Sequence, residues 1–215
     1  MRRVTQSGFT LVEIALVLVI VGLLIGGVLK SQEMITNAKL KRIEKNQAGI
    51  MAAMFTYQDR YRQLPGDDES AKSRFTIYND TINDPLPADI NGNGDNRVDG
   101  DWVAVPNTET ANFWKHLRAA GLIPGNGDDD SQLTNAFGGN IGIRDGSLLI
   151  AGHTMIFGSI EGSIIRVIES RFDDGMPNAG RIQSDLTEAL MNGSAASTAG
   201  AVYLDNSRYF AAFRL

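Results

Sequence analysis

Residues 9–29 form an apolar run whose only charge is Glu13. At about 1.5 Å of rise per residue, a helix over this run is roughly 30 Å long, enough to cross the hydrocarbon of a bilayer. Before it lie only residues 1–8, with Arg2 and Arg3 as their charged side chains. A short basic arm is expected on the cytoplasmic side, which places the chain beyond Lys30 on the other face. The expectation is a single-span protein whose bulk is extracytoplasmic. A cleaved secretory signal shares the basic-then-apolar order, but its apolar core is about 7–15 residues and ends at a small-x-small site. The run here is longer, and no such site followed by a polar start closes it. Nor would a secretory signal keep Glu13, because a carboxylate inside the bilayer costs a few kcal/mol unless it finds a partner.

Gly8, Phe9 leading the apolar run, and Glu13 stand in register. This order resembles the class III signal of type IV pilins and type II secretion pseudopilins, closely over the leader and helix and loosely over the rest. The resemblance implies that prepilin peptidase cuts after Gly8 and that the new N-terminal Phe9 is methylated. It also implies that Phe9 and Glu13 are assembly residues, with the carboxylate pairing to a neighbouring subunit's N-terminal amine and setting the axial register of a filament. The residues alone leave a second reading open. On a helix that begins at Phe9, Glu13 lies one turn along and leans back toward the N-terminus, where it can satisfy its own helix end. Gly22 and Gly26 make a GxxxG spacing, which lets helices approach closely in lipid. Gly22 also matches a position where relatives unwind inside a filament, while Lys30 stands where many type IV pilins carry proline.

From Lys30 the helical pattern continues, with no proline before Pro65. Leu40, Ile43, Gln47, Ile50, Met54, Tyr57 and Tyr61 recur at alternating spacings of three and four, a stripe on one face of a helix. We expect residues 30–61 to be an amphipathic stem that packs on a globular head; a free coiled coil would show the same period. Leu64-Pro65-Gly66-Asp67 should end the helix. Farther on, Asn107 or Thr108 is placed to cap a helix with Glu109 in its first turn and Gly121 as its stop. Phe113 and Leu117 share a face of that helix. Strand candidates are residues 141–144, 147–151, 154–158, 180–184, 201–204 and 209–214. Ile160, Ile164, Val167, Ile168 and Phe172 recur at helical spacing between the third and fourth. Strands gathered after helices predict an α+β fold, a long N-terminal helix and a head, residues 62–215, with an antiparallel sheet. The resemblance implies the same layout.

The 215 residues carry 20 basic and 25 acidic side chains, and loss of residues 1–8 leaves 18 basic ones and a net charge near −7. Without a basic stripe interleaved with aromatics, nucleic acid is not an expected partner. Cysteine is absent, so loops in an oxidising compartment must be held by packing, hydrogen bonds or a metal. Residues 89–95 fit the first half of a calcium loop, with oxygen side chains at Asp89, Asn91, Asn93 and Asp95 and glycine at the sixth position. The twelfth position is Gly100 instead of an acid, and Asp99 and Asp101 flank it. Calcium held by these six side chains and a solvated loop of Asx turns both fit. Asp128–Asp130 and Asp173–Asp174 read first as solvated or capping, with a metal-ligand role as the alternative. With no cysteine and only His116 and His153, which read as surface or packing residues, catalysis finds little support and no enzyme is expected.

Together these features describe a structural filament subunit: residues 1–8 a leader, 9–29 a transmembrane and assembly helix, 30–61 a stem, 62–215 a head. The resemblance implies as partners prepilin peptidase, an inner-membrane assembly platform, membrane lipid and other pilin or pseudopilin subunits. It places the protein in a bacterial inner membrane and then in an extracellular or periplasmic filament. The rival is a membrane-anchored extracytoplasmic domain, calcium-binding or adhesive, that never polymerises.

Overall fold

The computed structural model describes residues 10–75, 90–193, 196–198 and 202–215. The chain divides into two compact units, Met1–Lys39 and Leu40–Leu215. Helix α1, Leu11–Tyr61, contributes to both. In the first unit, over residues 11–29, it is apolar on every side but for Glu13. In the second it buries Leu40, Ile43, Ile50, Ala53, Met54 and Tyr57, one stripe of its surface. The helix ends where Arg62 turns left-handed (φ 60°), three residues ahead of Pro65.

The second unit is α+β. A short helix, α2 (Ala71–Arg74), precedes α3 (Glu109–Ala119), strands β1 (Ile141–Ser147) and β2 (Ile150–Glu161), helix α4 (Gly162–Phe172), β3 (Ile182–Asp185), a 3-10 turn at Glu188–Asn192, and β4 (Arg208–Arg214). The four strands form one antiparallel sheet in the order β1-β2-β4-β3. Strand alternation divides the core. Met155, Phe157, Ala211 and Phe213 belong to a cluster with Ile43, Ile50, Tyr57, Phe113 and Leu117. Ile156 and Ala212 join Trp102, Leu148 and Met191 in a second cluster. Trp102 lies so close over Gly142 and Gly158 that a Cβ at either would touch its ring.

Thr108 is the cap of α3, its hydroxyl accepting from the Ala111 N–H. The helix closes with paired bonds from Gly121 N to Arg118 O and Leu122 N to Leu117 O around a left-handed Gly121 (φ 68°). Two expected strands differ. Residues 147–151 form no strand of their own, because Ser147 pairs with Ile150 across a turn in which Leu148 is left-handed (φ 53°). Residues 202–204 are not extended into the sheet, since β4 and β3 pair directly with one another. Ile160 belongs to β2, opposite Tyr209, and α4 begins after it.

Candidate functional site

Every residue from Leu11 to Ile35 is exposed. Leu18, Leu23 and Leu24 are each more than 60% open, and nothing lies within 4 Å of where a Cβ would stand on Gly22 or Gly26. α1 is the one helix among the described residues long and apolar enough to cross a membrane. An apolar surface of this extent marks a lipid or protein contact. At its start the Glu13 carboxylate accepts from the Thr10 backbone N–H at 2.9 Å and the Thr10 hydroxyl at 3.0 Å. The Glu13 N–H donates to the Thr10 hydroxyl at 3.3 Å. This is a reciprocal capping box, T-x-x-E, a spacing present in the sequence. In the single chain Glu13 therefore satisfies its own helix end. Gly8 and Phe9 lie outside the described residues, as does Asp89.

The remaining members of the 89–101 loop are turned to other partners. Asn91 Oδ1 accepts from Lys72 N, Asn93 Oδ1 from Asp95 N, and Asp95 Oδ1 from Arg97 N. The Asp99 N–H donates to Glu109, and Asp101 is exposed. The loop is gathered by carboxylates from outside it. Fully buried Asp67 accepts from Gly94 N at 2.6 Å and Asn96 N at 2.7 Å, and Glu109 accepts from Asn93 N at 3.0 Å and Asp99 N at 2.9 Å. Burial raises the Glu109 carboxyl above its ordinary range; these two backbone bonds oppose that, and the charges of Asp67 and Asp99 reinforce it. Oxygens of Asp67, Asp95 and Glu109 lie within 4.8 Å of one another, so these three could hold a cation. Beside them is a polar cleft of about 410 Å³ lined by Asn91, Asn93, Asp99, Thr108, Glu109 and Asn112. Asp67 and Glu109 are separated from the loop in sequence and carried no motif that could have flagged them.

Under the loop, His116 is fully buried. Its Nδ1 accepts from Gly66 N at 2.9 Å, which makes Nε2 the donor to Ile90 O at 2.9 Å. Burial pushes the imidazole down to about 4, so it is neutral and structural. The Tyr57 hydroxyl donates to Asp68 at 2.6 Å, and Arg74 pairs with the same carboxylate at 3.0 Å. Burial opposes ionisation of Asp68, but bonds from Tyr57, Arg74 and the Ser70 N–H outweigh it and hold the carboxyl below its usual range. These contacts fix the turn after α1. They include no nucleophile paired with a base.

Residues 3–29 match the prokaryotic N-terminal methylation motif. No curated protein and no solved structure matches the chain. The matched segment is the prepilin-type signal of type IV pilins and pseudopilins, and it takes in Gly8, Phe9, Glu13, Gly22 and Gly26. With the long apolar helix and the antiparallel sheet of an α+β layout, the chain is pilin-like, and its signal and helix fit a membrane anchor.

Proposed function

We propose that the chain is a structural subunit of a type IV pilus or type II secretion pseudopilus. Prepilin peptidase removes residues 1–8, Phe9 is methylated, and an inner-membrane platform draws the mature chain into a filament with the residue 40–215 unit on the far side of the membrane. The reading is carried by one observation: an apolar helix surface exposed from Leu11 to Leu29, interrupted only by Glu13, within the methylation motif. Bundling such helices buries that surface, and Glu13 then meets the amine of a neighbour's Phe9.

The capping box favours a second reading, an anchored domain that does not polymerise, because Glu13 already has a partner in Thr10. Glu13→Gln separates the two. Glutamine serves a capping box as well as glutamate does, so helix start, processing and anchoring should be unchanged. An ion pair to a neighbour's amine would be lost, and breaking one partner of a buried pair costs about 3–5 kcal/mol. Filament yield from Glu13→Gln should fall at least about tenfold while mass spectrometry of the membrane fraction still finds methylated Phe9 at the N-terminus. Undiminished filaments would remove the assembly role of the charge. Processed protein that never enters sheared filaments, even as wild type, would favour the non-polymerising anchor.

A further inference from the structure

Helix α4 ends in three carboxylates. Glu169 sits in its last turn, Asp173 is its C-cap and Asp174 follows, and one oxygen from each lies within 4.8 Å of the other two. Glu169 is fully buried. Its Oε1 accepts from the Tyr203 hydroxyl at 2.8 Å, while Oε2 is buried with no hydrogen-bond partner. Asp173 uses Oδ2 to hold Arg181 N and Ile182 N at the start of β3, and Asp174 uses Oδ1 to hold Met176 N. Each keeps a second oxygen.

Among the described residues no lysine or arginine forms an ion pair with Glu169, Asp173 or Asp174. The C-terminal end of a helix already carries partial negative charge, so three acids there repel both it and one another. Burial raises the Glu169 carboxyl to about 8, the Tyr203 hydroxyl opposes this, and the charges of Asp173 and Asp174 add to it. Protonation would relieve the charge but not the orphaned oxygen. Oε2 would become an O–H donor at a place that offers it no acceptor, and a buried polar atom without a partner carries its full desolvation cost.

We propose that Glu169, Asp173 and Asp174 bind a divalent cation, calcium in preference to magnesium, with water completing its shell. Carboxylate oxygens in an irregular cluster open to solvent at Asp174 suit calcium, which takes six to eight oxygens in flexible geometry, whereas magnesium demands a regular octahedron. The ion satisfies Oε2 and neutralises the helix end. Through Asp173 and Tyr203 it ties α4 to β3, since Tyr203 also bonds Ser184 of that strand at 2.7 Å. This site is separate from residues 89–101 and does not depend on polymerisation.

Terbium is a suitable probe because Tyr203, 5.0 Å from Tyr209 between ring centroids, can sensitise a lanthanide bound beside Glu169. The full-length protein in detergent, stripped of metal with chelator, is titrated with terbium under tyrosine excitation. Calcium and magnesium then compete, and calorimetry measures calcium directly. We expect one saturable luminescent site, displaced by calcium at lower concentration than by magnesium. Glu169→Gln and Asp174→Asn, which preserve shape and whose folding circular dichroism can verify, should each weaken calcium at least about tenfold by removing ligand charge. Asp95→Asn should leave this site unchanged. Absence of calcium binding to the wild type overturns the proposal, as does binding that survives both variants. Binding lost only in Asp95→Asn overturns it as well, by placing the ion at Asp67, Asp95 and Glu109.

Discussion

Residues 11–29 and residues 40–61 belong to one helix, share its backbone geometry and contain no proline, yet they face different surroundings. Apart from Glu13 the first stretch is apolar on all sides, and it is uncovered. The second buries Leu40, Ile43, Ile50, Met54 and Tyr57 on one side and presents Lys41, Arg42, Lys45, Asp59 and Arg60 on the other. Helix formation alone does not distinguish them. The distribution of side chains around the axis does: an all-round apolar surface calls for lipid or other helices, and a stripe calls for a single packed face. The unit made of residues 40–215 should therefore be indifferent to changes in the first stretch, and anchoring indifferent to changes in the second.

The strongest challenge puts charge into the uncovered stretch. Val17→Arg with Val21→Asp adds about 5–7 kcal/mol to insertion on biological scales. The protein should leave the membrane fraction, while thermal unfolding of the sheet-containing unit, followed by circular dichroism in detergent, stays where it was. A lower melting temperature in that variant would mean the apolar stretch supports the fold. The crossed experiment is Ile50→Ala, a truncation at a site 3% exposed. It should cost about 2–5 kcal/mol of unfolding free energy through lost burial and a residual cavity, with membrane partition unaltered. Unchanged stability would make residues 40–61 a stem that merely borders the core.

Acid should weaken the same unit through His116. Its folded-state value near 4 lies below the ordinary 6.5, so the unfolded chain binds the extra proton first as pH falls. The stability it contributes is complete above about pH 6.5 and is lost progressively toward pH 4, in total about 3 kcal/mol. Glu169, raised to about 8, works with the opposite sign, since its folded form gains a proton before the unfolded one does. The contribution of His116 is accordingly the difference between denaturant titrations of the wild type and His116→Asn across pH 4–7. Parallel curves would show that His116 is not held neutral by its surroundings.

The contrast within α1 was legible because period and charge are local properties: Ile43, Ile50, Met54 and Tyr57 announce a face by spacing alone. The capping residue of α3, its Gly121 stop and strands β1, β2, β3 and β4 were legible in outline for the same reason. What was not legible is non-local. Asp67 and Glu109 reach a loop more than twenty and about ten residues away in sequence, respectively, through backbone N–H groups that exist in every sequence. The Glu169 cluster depends on Tyr203, 34 residues distant, meeting the end of α4. Residues 147–151 read as a strand because Ser147 and Ile150 are strand residues, and only the left-handed Leu148 between them makes a turn. The T-x-x-E box at Thr10 and Glu13 was present as a local signal, although the apolar run around it reads first as a membrane span.

The smallest effect is expected between the two stretches. Lys30 and Glu33 form an ion pair at 2.8 Å with side chains 70% and 61% exposed, one helical turn apart. Such a pair gains little in water, costs side-chain freedom and is screened by salt, so its contribution is about 0–0.5 kcal/mol. Lys30→Ala should shift the melting temperature of the sheet-containing unit by less than about one degree, because no residue before Leu40 belongs to its core. Lys30 is nonetheless the first charge after the apolar run, so its ammonium can reach the headgroup region and help set how deep the helix sits. Its removal should appear only in depth-sensitive labelling of cysteines introduced near residue 30, and only slightly. A shift of several degrees in unfolding would instead place Lys30 inside the same cooperative unit as Ile43 and Tyr57, and the division of α1 into a lipid-seeking stretch and a core-seeking stretch would have to be moved toward the N-terminus.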